Sequence, residues 1–336
     1  MKQQFLKWLR LTNKPIIKVY NSYGNNTHII VQGHVLKRGP LQRKRYRKFF
    51  LTNVFAAIRS FWVKPWPGIE VELQWEDKIY KTRTEDDGFY KFEFTSTVVP
   101  RAGWHPVRVC LSGINIQAEG WGEIYIPYTY QYAFISDIDD TFLISHSANL
   151  RKRLYVLLTK NAKYRKPFEG VVNHYQLLAA DRASLNTYNP FFYVSSSEWN
   201  LYDFIVEFCR LNKMPKGVFL LNQMKTFRQI LKTGQNKHAT KFFRIVRILE
   251  HYPDQKYVLL GDDSQEDPNI YEAVVKHFPE KIYAVYLRQT RHSNKQSVLA
   301  ISNNMQKSGV ECCYFKHSAE AIIHSKKIGL ITADSK

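Results

Sequence analysis

Beyond residue 131 short apolar runs alternate with helical patterns, and this rhythm constrains the fold more than any other feature of the chain. Ala133 to Asp137, Phe191 to Val194, Val218 to Leu221, Tyr257 to Leu260 and Ile282 to Leu287 read as short strands. Between them, apolar positions 201, 204, 205, 208 and 211 recur at the spacing of one helical face, and so do Phe242, Ile245, Val246 and Leu249. Apolar strands separated by amphipathic helices predict a parallel sheet with helices on both faces. Ligands of such sheets sit beyond the carboxyl ends of the strands, so the residues there carry the chemistry.

The preceding part of the chain has a different period. Residues 16–36 alternate weakly around turn residues Asn25 and Asn26. Glu70 to Leu73 alternates cleanly, Asp87-Gly88 is a hairpin signal, and Tyr90, Phe92 and Phe94 occupy every second position. Val107 to Leu111 and Ile124 to Ile126 add further strands. Short strands with regular turns predict a small β-sandwich. An insertion interrupts this region. Lys37, Arg38, Arg43, Lys44, Arg45, Arg47 and Lys48 crowd one stretch, and Leu51, Val54, Phe55 and Ile58 then form a helical face that ends at Pro65 and Pro67. The expected organisation is a basic amphipathic segment over 1–15 and a β-sandwich-like domain over 16–130 with a basic, aromatic insertion at 37–66. An α/β domain follows over 131–336, with a basic cap-like segment at 142–168.

Charge narrows the partners. Lys plus Arg number 49 against 29 Asp plus Glu, so the formal net charge is +20, which favours nucleic acid, an anionic bilayer or phosphorylated substrates. No nucleic-acid-binding motif accompanies the charge, and no Gly-rich loop of the GxxxxGK[ST] kind occurs. No apolar run is long enough for a transmembrane helix, and the first residues lack the apolar stretch of a secretory signal. The four cysteines are too few and scattered for a disulfide framework or zinc site, and adjacent Cys312 and Cys313 lack metal-ligand spacing. A cytoplasmic, reducing location, peripheral to membranes, is the expectation.

Two strand ends are acidic. Ala133-Phe134-Ile135 runs into Ser136-Asp137-Ile138-Asp139-Asp140-Thr141, and Tyr257-Val258-Leu259-Leu260 runs into Gly261-Asp262-Asp263, followed by Glu266 and Asp267. Carboxylates gathered at one rim repel unless a cation is shared, and Mg²⁺ is the usual hard ion for oxygen ligands. A helix N-cap run or a plain turn is the structural alternative for either motif taken alone. Between them Phe191-Phe192-Tyr193-Val194 ends in Ser195-Ser196-Ser197, where hydroxyls beside exposed N–H groups suit phosphate oxygens. Lys241 lies on the helix before the second acidic strand.

In this order, DIDDT at 137–141, Ser195, Lys241 and GDDSQED at 261–267 resemble the four motifs of the haloacid dehalogenase superfamily. The flanking text is similar to one branch, the phosphatidate phosphatases of the actin-patch-protein type. It comprises NSYGNNTHIIVQGHVLKR at 21–38, AFISDIDDTFL at 133–143, FFYVSSSEWNLYDF at 191–204, YVLLGDDSQEDPNIY at 257–271 and HSAEAIIHSKKIGLI at 317–331. The resemblance implies a Rossmann-like haloacid-dehalogenase core. It implies Asp137 as nucleophile, Asp139 as general acid then base, and Thr141 bracing the loop. Mg²⁺ would be held by Asp137, the Asp139 carbonyl and Asp262, while Ser195, Ser196 and Lys241 would hold phosphoryl oxygens. Two positions depart from the family text: Glu198 stands where proline is usual, and Asp263 where a small residue is usual. The second acidic contact is therefore open between Asp263 and Asp267. Lys237 shares a helical face with Lys241, which is preferred for its distance from Tyr252-Pro253.

The resulting expectation is a Mg²⁺-dependent phosphatase converting phosphatidate at a membrane surface to diacylglycerol and phosphate through an aspartyl-phosphate. Residues 37–63 and the basic stretch 151–166 would dock on anionic lipid. Two rivals stand beside it: the same chemistry on a soluble or nucleic-acid 3′-phosphate, and a silent module that binds anionic lipid.

Overall fold

The structure, a computed structural model, describes residues 11–12, 14–40, 62–113, 115–128, 132–138, 167–180, 188–223, 237–263, 266–291 and 294–332. The expected helical face at 51–58, the cap-like segment up to 166, and Asp139 and Thr141 lie outside the described residues.

The first ten strands are β1 (Leu11–Thr12), β2 (Ile16–Val19), β3 (Ser22–Gly24), β4 (His28–Pro40), β5 (Lys64–Pro65), β6 (Glu70–Trp75), β7 (Lys78–Arg83), β8 (Phe89–Thr95), β9 (Gly103–Leu111) and β10 (Glu119–Ile126). The alternation suggested a two-sheet sandwich, but these strands connect into one continuous, almost wholly antiparallel sheet. The long strand β4 is the reason: it pairs along its length with β2, β3 and β8 and bends the sheet over one core. Val31, Val35, Val71, Leu73, Tyr90, Val109, Ile124 and Ile126 fill that core. Tyr80 of β7 stacks on Phe94 of β8 and closes the far side. Gly33 is required here, because a Cβ on it would lie 2.0 Å from the Lys18 carbonyl and 2.2 Å from the Tyr90 hydroxyl.

Six parallel strands follow: β11 (Tyr132–Asp137), β12 (Phe191–Glu198), β13 (Val218–Asn222), β14 (Lys256–Asp262), β15 (Ile282–Arg288) and β16 (Glu311–Phe315). Their spatial order is β13-β12-β11-β14-β15-β16, the doubly wound order in which the direction of winding reverses between the first and fourth strands. Helices α1 (Val171–Ala180), α2 (Tyr202–Leu211), α3 (Lys237–His251), α4 (Asp267–His277), α5 (Lys295–Lys307) and α6 (Ser318–Lys327) cover the sheet. Tyr175, Leu178, Ile205, Phe208 and Ala321, from α1, α2 and α6, pack with Phe134 and Phe191 on one face. Ile245, Leu249, Val274, Val298 and Met305, from α3, α4 and α5, pack with Ile135 and Phe192 on the other. The expected parallel sheet with helices on both sides is thus present, and β16, α1, α4, α5 and α6 are elements the sequence pattern did not disclose.

The antiparallel sheet packs along β13 and the top of β12. Tyr20 stacks on Trp199 at 4.1 Å between centroids, with the rings 8° from parallel. The Lys18 ammonium lies 2.7 Å from Asp203, Asn21 Nδ2 donates to the Gly217 carbonyl at 2.9 Å, and the Tyr252 hydroxyl donates to the Gly24 carbonyl at 3.0 Å.

Candidate active site

Strands β11 and β14 are neighbours at the point where the winding reverses, and each ends in aspartate: Asp137 and Asp262. Helix α4 begins at Asp267, returning a third carboxylate to the same rim. All three are buried to within 1% of full enclosure. One carboxylate oxygen from each lies within 4.8 Å of the others. Lys241, on the second turn of α3 and 4% exposed, enters between them. Its ammonium donates to Asp137 Oδ1 at 2.7 Å and also to Asp267 Oδ1. Burial disfavours the charged lysine, but Asp137 and Asp267 outweigh that and hold its pKa above the ordinary lysine value. Three carboxylates against one ammonium still leave an excess of negative charge that a dry interior does not tolerate alone.

Gly261 shapes the floor. A Cβ there would lie 2.6 Å from Asp267 Oδ2 and 2.7 Å from Tyr271 Cε2, so only glycine lets α4 start this close to β14. Asp267 Oδ2 is buried without a hydrogen-bond partner among the described residues. An orphaned buried oxygen beside two further carboxylates is a donor set suited to a hard divalent cation.

Asp263 is employed elsewhere. Its Oδ1 accepts from the Thr290 hydroxyl at 2.6 Å and the Thr290 N–H at 2.7 Å, and its Oδ2 accepts from the Tyr314 hydroxyl at 2.7 Å. Asn294 Nδ2 donates to its carbonyl at 2.6 Å. The aspartate in the unusual position therefore ties the end of β15 to β16, and Asp267 is the one that joins the cluster. Lys237 opens α3 in a turn whose side chains lie outside the described atoms.

Ser195 follows Val194, which lies in register with Asp137. There the pairing of β12 with β13 slips between Val194 and Glu198, which frees the chain to turn over the rim. Ser195 Oγ, fully buried, accepts from the Ser197 N–H at 2.9 Å, and Ser196 is half-buried. Glu198 ends β12 and precedes a 3₁₀ turn, Trp199–Leu201, in an extended conformation that proline also adopts.

Two cations emerge only from the packing. Arg244 lies one turn after Lys241; it donates to the Ser195 carbonyl and to Asn222 Oδ1, both at 3.2 Å, and clips the ends of β12 and β13 together. Burial, and then the neighbouring Arg247, lower its pKa to about 10. Its spacing of three from Lys241 was the available signal. Arg288, 3% exposed, stands in register with Asp262. Its guanidinium sits between Phe168 and Phe315, 4.7 and 4.8 Å from their centroids, and donates to Ser318 Oγ at 2.8 Å. Burial lowers its pKa, and Tyr175 and Asp262 oppose that shift. No sequence pattern marks it, since a terminal arginine on an apolar strand ordinarily faces solvent.

The acidic residues and the buried lysine thus meet at the winding reversal of a doubly wound sheet, which is where the ligands of such sheets bind. Comparison with known proteins agrees. Residues 132–289 match the family described as Phosphatidate phosphatase APP1, catalytic domain. Phosphatidate phosphatase APP1 of Saccharomyces cerevisiae is 28% identical over 159 residues, covering 47% of this chain and 26% of the yeast protein. An uncharacterized protein of Schizosaccharomyces pombe is 23% identical over 261 residues, covering 74% of this chain and 39% of that protein. The chain thus spans well under half the length of either relative. A carbohydrate acetylesterase from Xanthomonas citri aligns over 94% of this chain and 75% of its own at 8% identity, but with a TM-score of 0.34 the likeness carries no argument. The resemblance to the APP1-type phosphatidate phosphatases, and so to a phosphatase catalytic domain, is carried by the parallel-sheet unit, which contains every buried residue of the acidic cluster.

Proposed function

We propose that the chain is a Mg²⁺-dependent phosphatidate phosphatase of the haloacid-dehalogenase type. The observation that carries this reading is the meeting of Asp137, Asp262 and Asp267 around Lys241. The doubly wound order and the match of 132–289 to the family support it.

In this reading the Asp137 carboxylate attacks phosphorus and an aspartyl-phosphate forms as the bond to the diacylglycerol oxygen breaks. Asp139 gives its proton to that alkoxide, then takes one from the water that hydrolyses the intermediate. Lys241 has three N–H donors; Asp137 and Asp267 take two, and the third serves a phosphoryl oxygen. Asp267 orients that ammonium, and the Ser195–Ser197 turn, with Arg244 behind it, holds the remaining phosphoryl oxygens. Asp137, Asp262 and the Asp139 carbonyl would hold Mg²⁺, which when bound offsets the charge of the phosphoryl group. The resemblance to the haloacid dehalogenases gives Thr141 the role of bracing the loop after the nucleophile.

The membrane is the proposed place of work. Leu36 packs in the core that also holds Trp199, directly after the Ser195–Ser197 turn, and Lys37 and Arg38 follow Leu36 toward the basic stretch. Among the described residues no helix is long and apolar enough to cross a membrane, so docking would rest on surface charge and aromatics. Sedimentation with neutral and acidic vesicles reads this directly, and equal binding to both would remove the docking idea.

The deciding experiment measures phosphate release from phosphatidate vesicles, a 3′-phosphorylated oligonucleotide and an aryl phosphate, each with Mg²⁺ or a chelator. Release from phosphatidate that the chelator abolishes is the expected result. Release from the oligonucleotide alone would defeat the lipid reading, and no release from any substrate would favour a silent lipid-binding module.

A further inference from the structure

At the opposite end of the parallel sheet from the acidic cluster, a cavity of about 420 Å³ opens between the two sheets and α1, within the usual range for small-molecule sites of roughly 300–1,000 Å³. Trp104 and Tyr125 line it from the antiparallel sheet. Phe191, Met214 and Pro215 line it from the amino ends of β12 and β13. Its floor is buried: Phe191 is 1% exposed, Tyr125 5% and Met214 6%.

Three of the polar side chains that line it spend a donor on the protein itself. The Tyr125 hydroxyl donates to the Tyr188 carbonyl at 2.8 Å, Asn189 Nδ2 to the Leu178 carbonyl at 2.8 Å and Gln176 Nε2 to the Lys213 carbonyl at 2.9 Å. The walls an occupant meets are mainly apolar and aromatic, which disfavours a sugar or nucleotide with many hydroxyls to pair. The flexible thioether of Met214 suits an occupant of variable shape.

Two lysines stand at the mouth, and they differ. Lys216 lies over the Trp104 ring at 4.1 Å and pairs with Glu123 at 2.6 Å, so its charge is met. Lys213 is exposed and pairs with no carboxylate among the described residues. It also occupies a costly backbone position. Helix α2 ends in a Schellman arrangement, with Lys213 N–H donating to the Arg210 carbonyl at 3.3 Å and Met214 N–H to the Cys209 carbonyl at 2.9 Å. The left-handed residue of that motif is ordinarily glycine, yet here it is lysine at φ 57°. Glu76 and Glu280 take the same left-handed conformation elsewhere, so it is the charge of Lys213, unmatched by a carboxylate among the described residues at the rim of a mainly apolar cavity, that points to an anion.

We infer that this inter-sheet cavity is a binding site for a single-chain acyl carboxylate, its tail between Trp104, Phe191 and Met214 and its head on Lys213. The site is separate from the phosphatase reading and stands whether or not that reading holds.

Isothermal titration of the full chain with submicellar laurate tests it, with dodecanol and inorganic phosphate as controls. Laurate should bind one to one, dodecanol about tenfold more weakly, and phosphate not at all. Lys213→Gly removes the charge while easing the backbone, so the variant folds at least as well and should bind laurate about tenfold more weakly. Ala180→Trp, a bulky group at an exposed lining position, should abolish binding. Absence of laurate binding, dodecanol binding as tightly as laurate, or full affinity in either variant would each overturn the assignment.

Discussion

The two sheets bury polar groups by opposite means. In the antiparallel sheet the strands alternate: β8 runs half-buried, buried, half-buried, buried, exposed, buried, exposed, and its charges point outward. Some of the polar groups it does bury are matched within the sheet, as where the Tyr90 hydroxyl donates to the Lys18 carbonyl at 2.8 Å and the Tyr20 hydroxyl meets His34 Nδ1 at 2.9 Å, while buried Lys18 is met from outside it by Asp203. The parallel strands inside the edge strand β16 are buried on both faces, and β14 is closed from Tyr257 to Asp262. A strand with no solvent face has room for charge only at its ends. Because the strands run in one direction, their carboxyl ends deliver Asp137, Asp262 and Arg288 to one rim. Charge that the first sheet disperses, the second concentrates.

The largest expected effect breaks that concentration at its centre. Asp137→Asn should lower phosphate release by at least roughly 10⁴-fold, with circular dichroism and unfolding midpoint close to the parent. Near-normal turnover would remove Asp137 as nucleophile. Next comes the junction of the two sheets. Trp199→Ala deletes a ring that is 5% exposed and stacked on Tyr20, and should cost about 3–5 kcal/mol in denaturant unfolding. A loss below about 1 kcal/mol would mean that the sheets touch there without supporting each other.

Gly261→Ala sharpens the comparison at the rim. The added methyl would stand 2.6 Å from Asp267 Oδ2, so about 1–3 kcal/mol of stability should be lost together with turnover. Unchanged turnover would show that Asp267 is free to shift without consequence.

The smallest effect concerns the buried histidines, one in each unit. His174 is 1% exposed, bonded to Ser325, and has a pKa lowered to about 3 by burial, with Arg288 and His324 adding to it. Above the unfolded pKa of about 6.5 neither state is protonated and its contribution to stability is whole. As pH falls below that value the unfolded chain takes up a proton that the folded one refuses until about pH 3. The loss should reach about 1.4 kcal/mol at pH 5.5, and His174→Gln should flatten it. Burial lowers the pKa of His34 too, but Asp87 opposes the shift, so His34→Gln should flatten the profile less. Equal slopes for the two variants would contradict this difference between the units.

Much of this was legible before any coordinates. The alternation of strand and helix announced the parallel sheet, and the acidic strand ends announced the rim at which Asp137 and Asp262 lie close together. Other assignments were not legible. Asp263 and Asp267 share one loop and one chemistry, and only the bonds of Asp263 to Thr290 and Tyr314 separate them. Arg288 reads as an ordinary terminal residue until Phe168 and Phe315 close around it. The single continuous antiparallel sheet follows from where β4 finds its three partners, which alternation within each strand does not encode.

Periodicity and residue type are local properties, so the chain by itself determined the strand–helix alternation of the second unit, the strands β11 to β15 and which of their ends carry acid. Which of two neighbouring carboxylates meets Lys241, which arginine is enclosed, and that a lysine-rimmed cavity opens between the sheets were decided by the tertiary structure alone. Those outcomes depend on distances between residues far apart in sequence, and such distances exist only once the packing of both sheets has selected one arrangement.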